Sequence, residues 1–138
     1  MAVVSELAML ANPHATKKEY SKGILKELRE NPNLSLVAVD NGKVVGYALS
    51  EIHNDKEAVL EDIVVAEDHH KKGIGSLLLN KTVKALKHDK ARTVFAEVHY
   101  KCAAAIPFYY KHGFRVSGFG QDYFGIGHDA IILKLVLR

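Results

Sequence analysis

A chain of 138 residues, 48% hydrophobic and 25% charged, fits one compact domain with a single core. The formal charge of +3 admits an anionic ligand but lacks the dense basic stripe of a nucleic-acid binder. One cysteine, Cys102, excludes an intrachain disulfide and a cysteine-based metal site, and no apolar run approaches the roughly 18 residues that span a bilayer.

The N-terminal MAVVSELAML has no basic n-region and carries Glu6 within its apolar stretch, so a cytoplasmic protein is expected. Residues 15–30 predict a helix, with Tyr20, Ile24, Leu25 and Leu28 at three-to-four spacing and Asn31-Pro32 as its stop. Two β-rich runs then flank Asp40-Asn41-Gly42, a strong hairpin signal. AVLEDIVV, residues 58–65, reads as a third strand. Residues 73–87 read as a helix with Ile74, Leu77, Leu78 and Leu86 roughly on one side. RTVFAEVHY reads as a strand, and residues 103–112 as a helix closed by Gly113. FRVSGF and DAIILKLVL complete a sheet. The expected fold is a single α/β (α+β) domain over residues 1–138, with sheet and helices packed in layers.

EDHHKKGIGSLLLNK, residues 67–81, joins a strand to a helix through a basic, glycine-containing loop. Amides at a helix start have no internal acceptor, and the helix dipole adds positive character there, so a phosphate fits. The string is not a Walker A loop, since GxxxxGK[ST] is absent. Nor is it a dinucleotide fingerprint: Leu78 stands where the third glycine belongs, and residues 66–72 separate strand from glycine.

His70-Lys71-Lys72-Gly73-Ile74-Gly75 resembles motif A of the GNAT superfamily of acyl-CoA N-acyltransferases, [QR]-x-x-G-x-[GA], with His70 in place of Gln or Arg. AEVHYKCAAAIPFYYKHGF, residues 96–114, resembles the family's motif B through Glu97, Val98, Ala105, Ile106, Phe108, Tyr109, Lys111, Gly113 and Phe114. Cys102 stands there where Asn is usual. The tail resembles the closing strand of N-terminal amino acetyltransferases, and LEDIVV a strand of glucosamine-6-phosphate N-acetyltransferases. The resemblance covers about residues 34–138; the first thirty look short for the family, with a first strand reduced at most to Val3-Val4.

The resemblance implies a mixed, mostly antiparallel sheet with helices on both faces and a splayed parallel strand pair. Acetyl-CoA would lie in the splay as cosubstrate, with no metal. Its pantetheine arm would follow the backbone at Ile63, Val64 and Val65, and its pyrophosphate the amides of Lys71, Lys72, Gly73, Ile74, Gly75 and Ser76. His70, Cys102 and Tyr109 would complete the cofactor site. An ammonium must lose its proton before it attacks, so the reaction needs a base, donors to the oxyanion and an acid for the thiolate. The family pattern gives the acid role to Tyr109 and the oxyanion donor to a backbone N–H near Val64 or Val65. Glu97 aligns with the base proposed for N-terminal acetyltransferases. Glu61 sits on the neighbouring strand near the expected cleft and matches the glutamate of the glucosamine-6-phosphate N-acetyltransferase strand, and the choice between them stays open. Strand alternation sets Val59, Glu61, Ile63 and Val65 on one face and Leu60, Asp62 and Val64 on the other.

Plainer roles compete. The two glutamates are also ordinary ion-pair partners, His69 and His70 ordinary loop residues, and Cys102 a small packed side chain. The expected activity is acetyl transfer to a primary amine on a small molecule or on a protein or peptide N-terminus, with no membrane partner. Family members often form homodimers. The alternative is a catalytically silent acyl-CoA sensor. Acceptor choice falls to the N-terminal helices and to the glycine-rich loop near residues 117–128, whose glycines predict mobility.

Overall fold

Asn41 and Gly42 both take positive φ, 52° and 76°, the pair of left-handed residues that a two-residue type I′ turn demands. The computed structural model in which they lie describes residues 34–53 and 56–138; the helix predicted for residues 15–30 and the strand at Val3-Val4 fall outside these. The turn joins β1 (Ser35–Asp40) to β2 (Lys43–Ile52), and β3 (Glu57–Val65) pairs antiparallel with β2. Helix α1 (Ile74–His88) then crosses back to β4 (Thr93–His99), which lies parallel to β3. A short helix α2 (Ile106–Lys111) leads to β5 (Arg115–Gly120) and β6 (Ala130–Val136). The sheet order is β1-β2-β3-β4-β6-β5, and every pairing except β3–β4 is antiparallel.

Both described helices pack on one face of this sheet. Leu78, Leu79 and Leu86 of α1 and Tyr109 of α2 share a core with Ala48, Ala58, Leu60, Val94, Ala96, Val98 and Leu133 of the strands. Gly46 lets α1 sit this close: a Cβ there would come 2.9 Å from the Val64 carbonyl oxygen and 3.3 Å from Leu78.

Two sequence expectations are corrected. The helix expected over residues 103–112 is a 3₁₀ stretch, Tyr100–Ala105, followed by only six α-helical residues. Pro107 has no N–H to give an earlier carbonyl, so α-helical bonding cannot run through it and starts afresh there. The strict alternation expected along β3 also fails. Leu49 pairs with Asp62 and Ser50 with Leu60, which leaves Glu61 as the extra residue of a bulge. Leu60 therefore shares the helix-covered face with Ile63 and Val65, while Val59, Asp62 and Val64 face the other way.

Candidate active site

The parallel ladder between β3 and β4 stops at Leu60–Ala96, although β3 runs on to Val65 and β4 to His99. A bulge bends the strand that carries it, and the Glu61 bulge lies at this fork. Beyond it each strand stays paired only on its outer side, β3 to β2 as far as Val65–Gly46 and β4 to β6 as far as His99–Ala130. The inner backbone edges of Glu61–Val65 and Glu97–His99 thus border a gap between the strands.

The loop after β3 leads into an uncapped helix start at one end of that gap. His70 Nε2 donates to the Val65 carbonyl at 2.8 Å and ties the loop back to the strand. The ring of His69 lies between Asp68, at 2.8 Å, and Asp40, at 3.1 Å, and both carboxylates raise its pKa. Lys71 and Gly73 take φ of 65° and 78°, curling the chain into α1. Gly73 is the N-cap and offers no side-chain cap, and the first turn of α1 holds no acidic residue. The first helical bond runs from Leu77 N–H to the Gly73 carbonyl, so the amides of Ile74, Gly75 and Ser76 precede it.

Gly73 is required by its positive φ, but Gly75 is not. A Cβ at Gly75 would meet Phe108 at 3.5 Å and Val65 at 3.8 Å, ordinary contacts, and its φ is not left-handed. A glycine that the fold does not need, in the first turn of an uncapped helix, suits close approach of a bulky anion to the backbone. The site therefore fits the pyrophosphate and pantetheine of coenzyme A, with Lys71–Ser76 and Ile63–Val65 as the residues to hold them.

Tyr109 reaches the fork from the helix-covered side and is fixed by the end of its own helix. Phe114 N–H bonds the Tyr109 carbonyl at 3.1 Å and Gly113 N–H the Tyr110 carbonyl at 3.0 Å, the two bonds of a Schellman motif. The Phe114 ring meets the Tyr109 ring edge-on at 5.3 Å. Gly113 has φ 92°, as that motif requires. Burial chiefly, then the charges of Asp62 and Cys102, raise the pKa of Tyr109, which keeps its proton at neutral pH. Burial also raises the Cys102 thiol, so it is no ready nucleophile.

Glu97 projects to the opposite face, since its neighbours Ala96 and Val98 both belong to the core around Tyr109. Burial raises its pKa, while a hydrogen bond from Tyr123 and the field of His53 pull it back. Tyr123 comes from the loop between β5 and β6 and feels Glu61 as well. Glu51, His53 and Glu61 each bring one polar atom to within 4.8 Å of the others, and His53 lies 3.7 Å from Glu51. Glu61 and Glu97 thus share one mouth, with Glu61 exposed and Glu97 half-buried. Asp62 is pushed up to about 7 by burial and by neighbouring Glu61.

Sequence reasoning missed Tyr123, His53 and Asp62. No local motif marks any of the three, which only the pairing of distant segments brings to the site. The expected mobility of the loop overlooked its own bonds. Asp122 Oδ1 accepts from Gly127 N–H at 2.6 Å, Asp129 Oδ1 from Asp122 N–H at 2.8 Å, and His99 Nε2 lies 3.2 Å from His128 Nδ1.

A forked parallel pair, an uncapped basic helix start and a buried tyrosine at the fork define an acyl-coenzyme A transferase site. Residues 2–114 match the model of the acetyltransferase (GNAT) family. The chain is 31% identical over 105 residues to the [ribosomal protein bS18]-alanine N-acetyltransferase of Escherichia coli K12, covering 74% of this chain and 70% of that one. It is 30% identical over 125 residues to an N-alpha-acetyltransferase of Sulfurisphaera tokodaii, covering 82% and 75%. The solved structure of Ard1 from Thermoplasma volcanium shares the fold, with a TM-score of 0.87 at 24% identity over 99% of this chain and 90% of that one. The chain belongs to the GNAT acetyltransferase family. It is an N-acetyltransferase that takes acetyl-CoA as cosubstrate and an amine as acceptor.

Proposed function

We propose that this enzyme acetylates the α-amine of a protein or peptide N-terminus, with Glu97 accepting the amine's proton and Tyr109 supplying one to the departing thiolate. The observation that carries this reading is the placement of Glu97 and Tyr109 on opposite faces of β4 where the β3–β4 ladder ends. A thioester seated in the gap has the base on one side and the acid on the other, so the amine attacks from the Glu97 face and the thiol leaves beside Tyr109. Coenzyme A supplies the activated acetyl group; the chain supplies orientation and proton transfer.

Glu97 is favoured over Glu61. It is half-buried, its pKa is raised towards the working range of a base, and Tyr123 orients it. Glu61 is the exposed residue of the bulge and adds negative charge to the mouth. Together with Glu51 it favours a cationic acceptor. The amide of Val65 lies on the edge of β3 that faces the gap, since Ala66 N–H, and with it Val64, points to β2, and it is the donor for the developing oxyanion. The N-terminal acceptor is supported by the two relatives, both named for N-terminal or alanine N-acetylation. No observation favours a silent binding module.

The test is thiol release from acetyl-CoA with a panel of short peptides, their N-terminally blocked forms, and small amines including amino sugars. Turnover confined to peptides with a free N-terminus is expected. Equal turnover of blocked peptides, or preference for an amino sugar, would overturn the acceptor assignment.

A further inference from the structure

His112 closes α2 at its C-cap, yet its ring is engaged with the start of a different helix. Its Nε2 lies 3.0 Å from the Oγ of Ser76, a bond that spans 36 residues of sequence. Ser76 is the third residue of α1, within the turn whose amides precede the first helical bond. Phe108 holds the imidazole from the side, edge-on at 5.0 Å, and the same ring is the nearest neighbour to the site of a Cβ on Gly75. Phe108, His112 and Ser76 thus form one packed unit behind the anion-binding turn.

We infer that His112 is a positioning residue for the coenzyme, its Nε2 holding the Ser76 side chain so that the hydroxyl proton is directed at the pyrophosphate. The inference rests on the cofactor reading of that turn. A serine hydroxyl has one proton to give. When Nε2 is the acceptor, that proton points at the ring. When Nε2 carries hydrogen, His112 donates to Oγ and the serine proton is released towards the helix start. An anion there selects the second arrangement, and its negative charge favours the imidazolium over the neutral Nε2–H tautomer, which donates the same bond.

Without ligand the opposite state is favoured. Burial chiefly, then the charge of Lys111, lower the pKa of His112. Among the described residues Lys111 is the charged side chain whose field reaches the ring; α1 presents the uncharged Ser76 to it, and α2 presents Phe108. Binding a pyrophosphate therefore draws a proton to His112, and affinity falls as pH rises from the acid side of the ordinary histidine range. The device couples the cofactor turn to the helix that carries Tyr109, three residues earlier in α2.

The experiment is calorimetric titration of the full chain with dephospho-CoA between about pH 5.5 and pH 8, a probe whose pyrophosphate does not titrate there. Wild type, Ser76→Ala, His112→Leu, His112→Gln and the Ser76→Ala/His112→Leu double variant are compared. Tighter wild-type binding at low pH is expected. Ser76→Ala and His112→Leu each weaken binding about tenfold near pH 6, the loss of one charge-assisted hydrogen bond. The double variant loses no more than either single one. His112→Gln, whose amide donates from the place of Nε2, retains most of the affinity with a flat pH profile. In turnover the KM for acetyl-CoA rises while kcat and the amine KM hold. Wild type that binds, with Ser76→Ala and His112→Leu binding as tightly as wild type at every pH, overturns this inference alone. Wild type that does not bind dephospho-CoA overturns the cofactor reading with it.

Discussion

Tyr123 donates its hydroxyl hydrogen to the Glu97 carboxylate, so the loop between β5 and β6 reaches across the sheet to the residue best placed as base. The bond favours the ionised carboxylate and works against the burial that raises its pKa. Tyr123→Phe removes it, and the Glu97 pKa rises further. The acid limb of the kcat/KM profile for the amine then moves to higher pH. Activity near pH 6 falls by roughly tenfold, the worth of about one hydrogen bond to a charged group, while activity near pH 8 is nearly unchanged. A uniform drop at all pH values would mean that Tyr123 acts on the acceptor rather than on Glu97.

Gly75→Ala separates what the fold needs from what the cosubstrate needs. The new methyl meets Phe108 and Val65 at ordinary contact distances. Alanine is the better helix residue, by about 0.5–1 kcal/mol, so thermal stability holds or rises. Affinity for acetyl-CoA drops by about tenfold or more, because the methyl stands where the backbone must be approached closely. A variant with lowered melting temperature and unchanged affinity would show the glycine to be structural after all.

Asp62 makes stability depend on pH in a direction unusual for a carboxylate. Its pKa is about 7 in the fold against 3.8 unfolded. Between these values the folded chain binds the extra proton, so stability falls as pH rises through that window. Asp62→Asn does not titrate. Its melting temperature relative to wild type therefore climbs between about pH 4 and pH 7 and levels off above, as differential scanning calorimetry reads directly. A difference that stays constant with pH would contradict the assignment.

Tyr109→Phe keeps the edge-on contact with Phe114 and deletes only the hydroxyl. Stability changes by about 1 kcal/mol at most. With Tyr109 as the acid, kcat falls by about 10²–10⁴ while acetyl-CoA affinity is retained, measured by thiol release and by titration. Undiminished turnover would return the proton-donor role to solvent.

The elements around the site were legible because their signals are local. Asn41-Gly42 states its turn, Gly113 its helix end, and the glycines after β3 the start of α1. What stayed hidden depends on pairing between distant segments. The bulge at Glu61 is set by how β3 meets β2, and no window along β3 alone reveals it; it reversed the faces of Leu60 and Val59. The His112–Ser76 bond and the Tyr123–Glu97 bond likewise join residues that only the assembled sheet brings together. Pro107 is a local signal too, and it marks where α-helical bonding starts afresh after the 3₁₀ stretch.

The early end of the β3–β4 ladder divides each strand into two segments under different structural constraint. Residues 57–60 and 93–96 are held in register by each other, and a change on either side must be answered across the ladder. Residues 61–65 and 97–99 have no such partner on their inner edges. Substitutions of side chains there leave the pairing that closes the sheet untouched, so the fork can carry chemical groups such as Glu61 and Glu97 at no cost to the ladder.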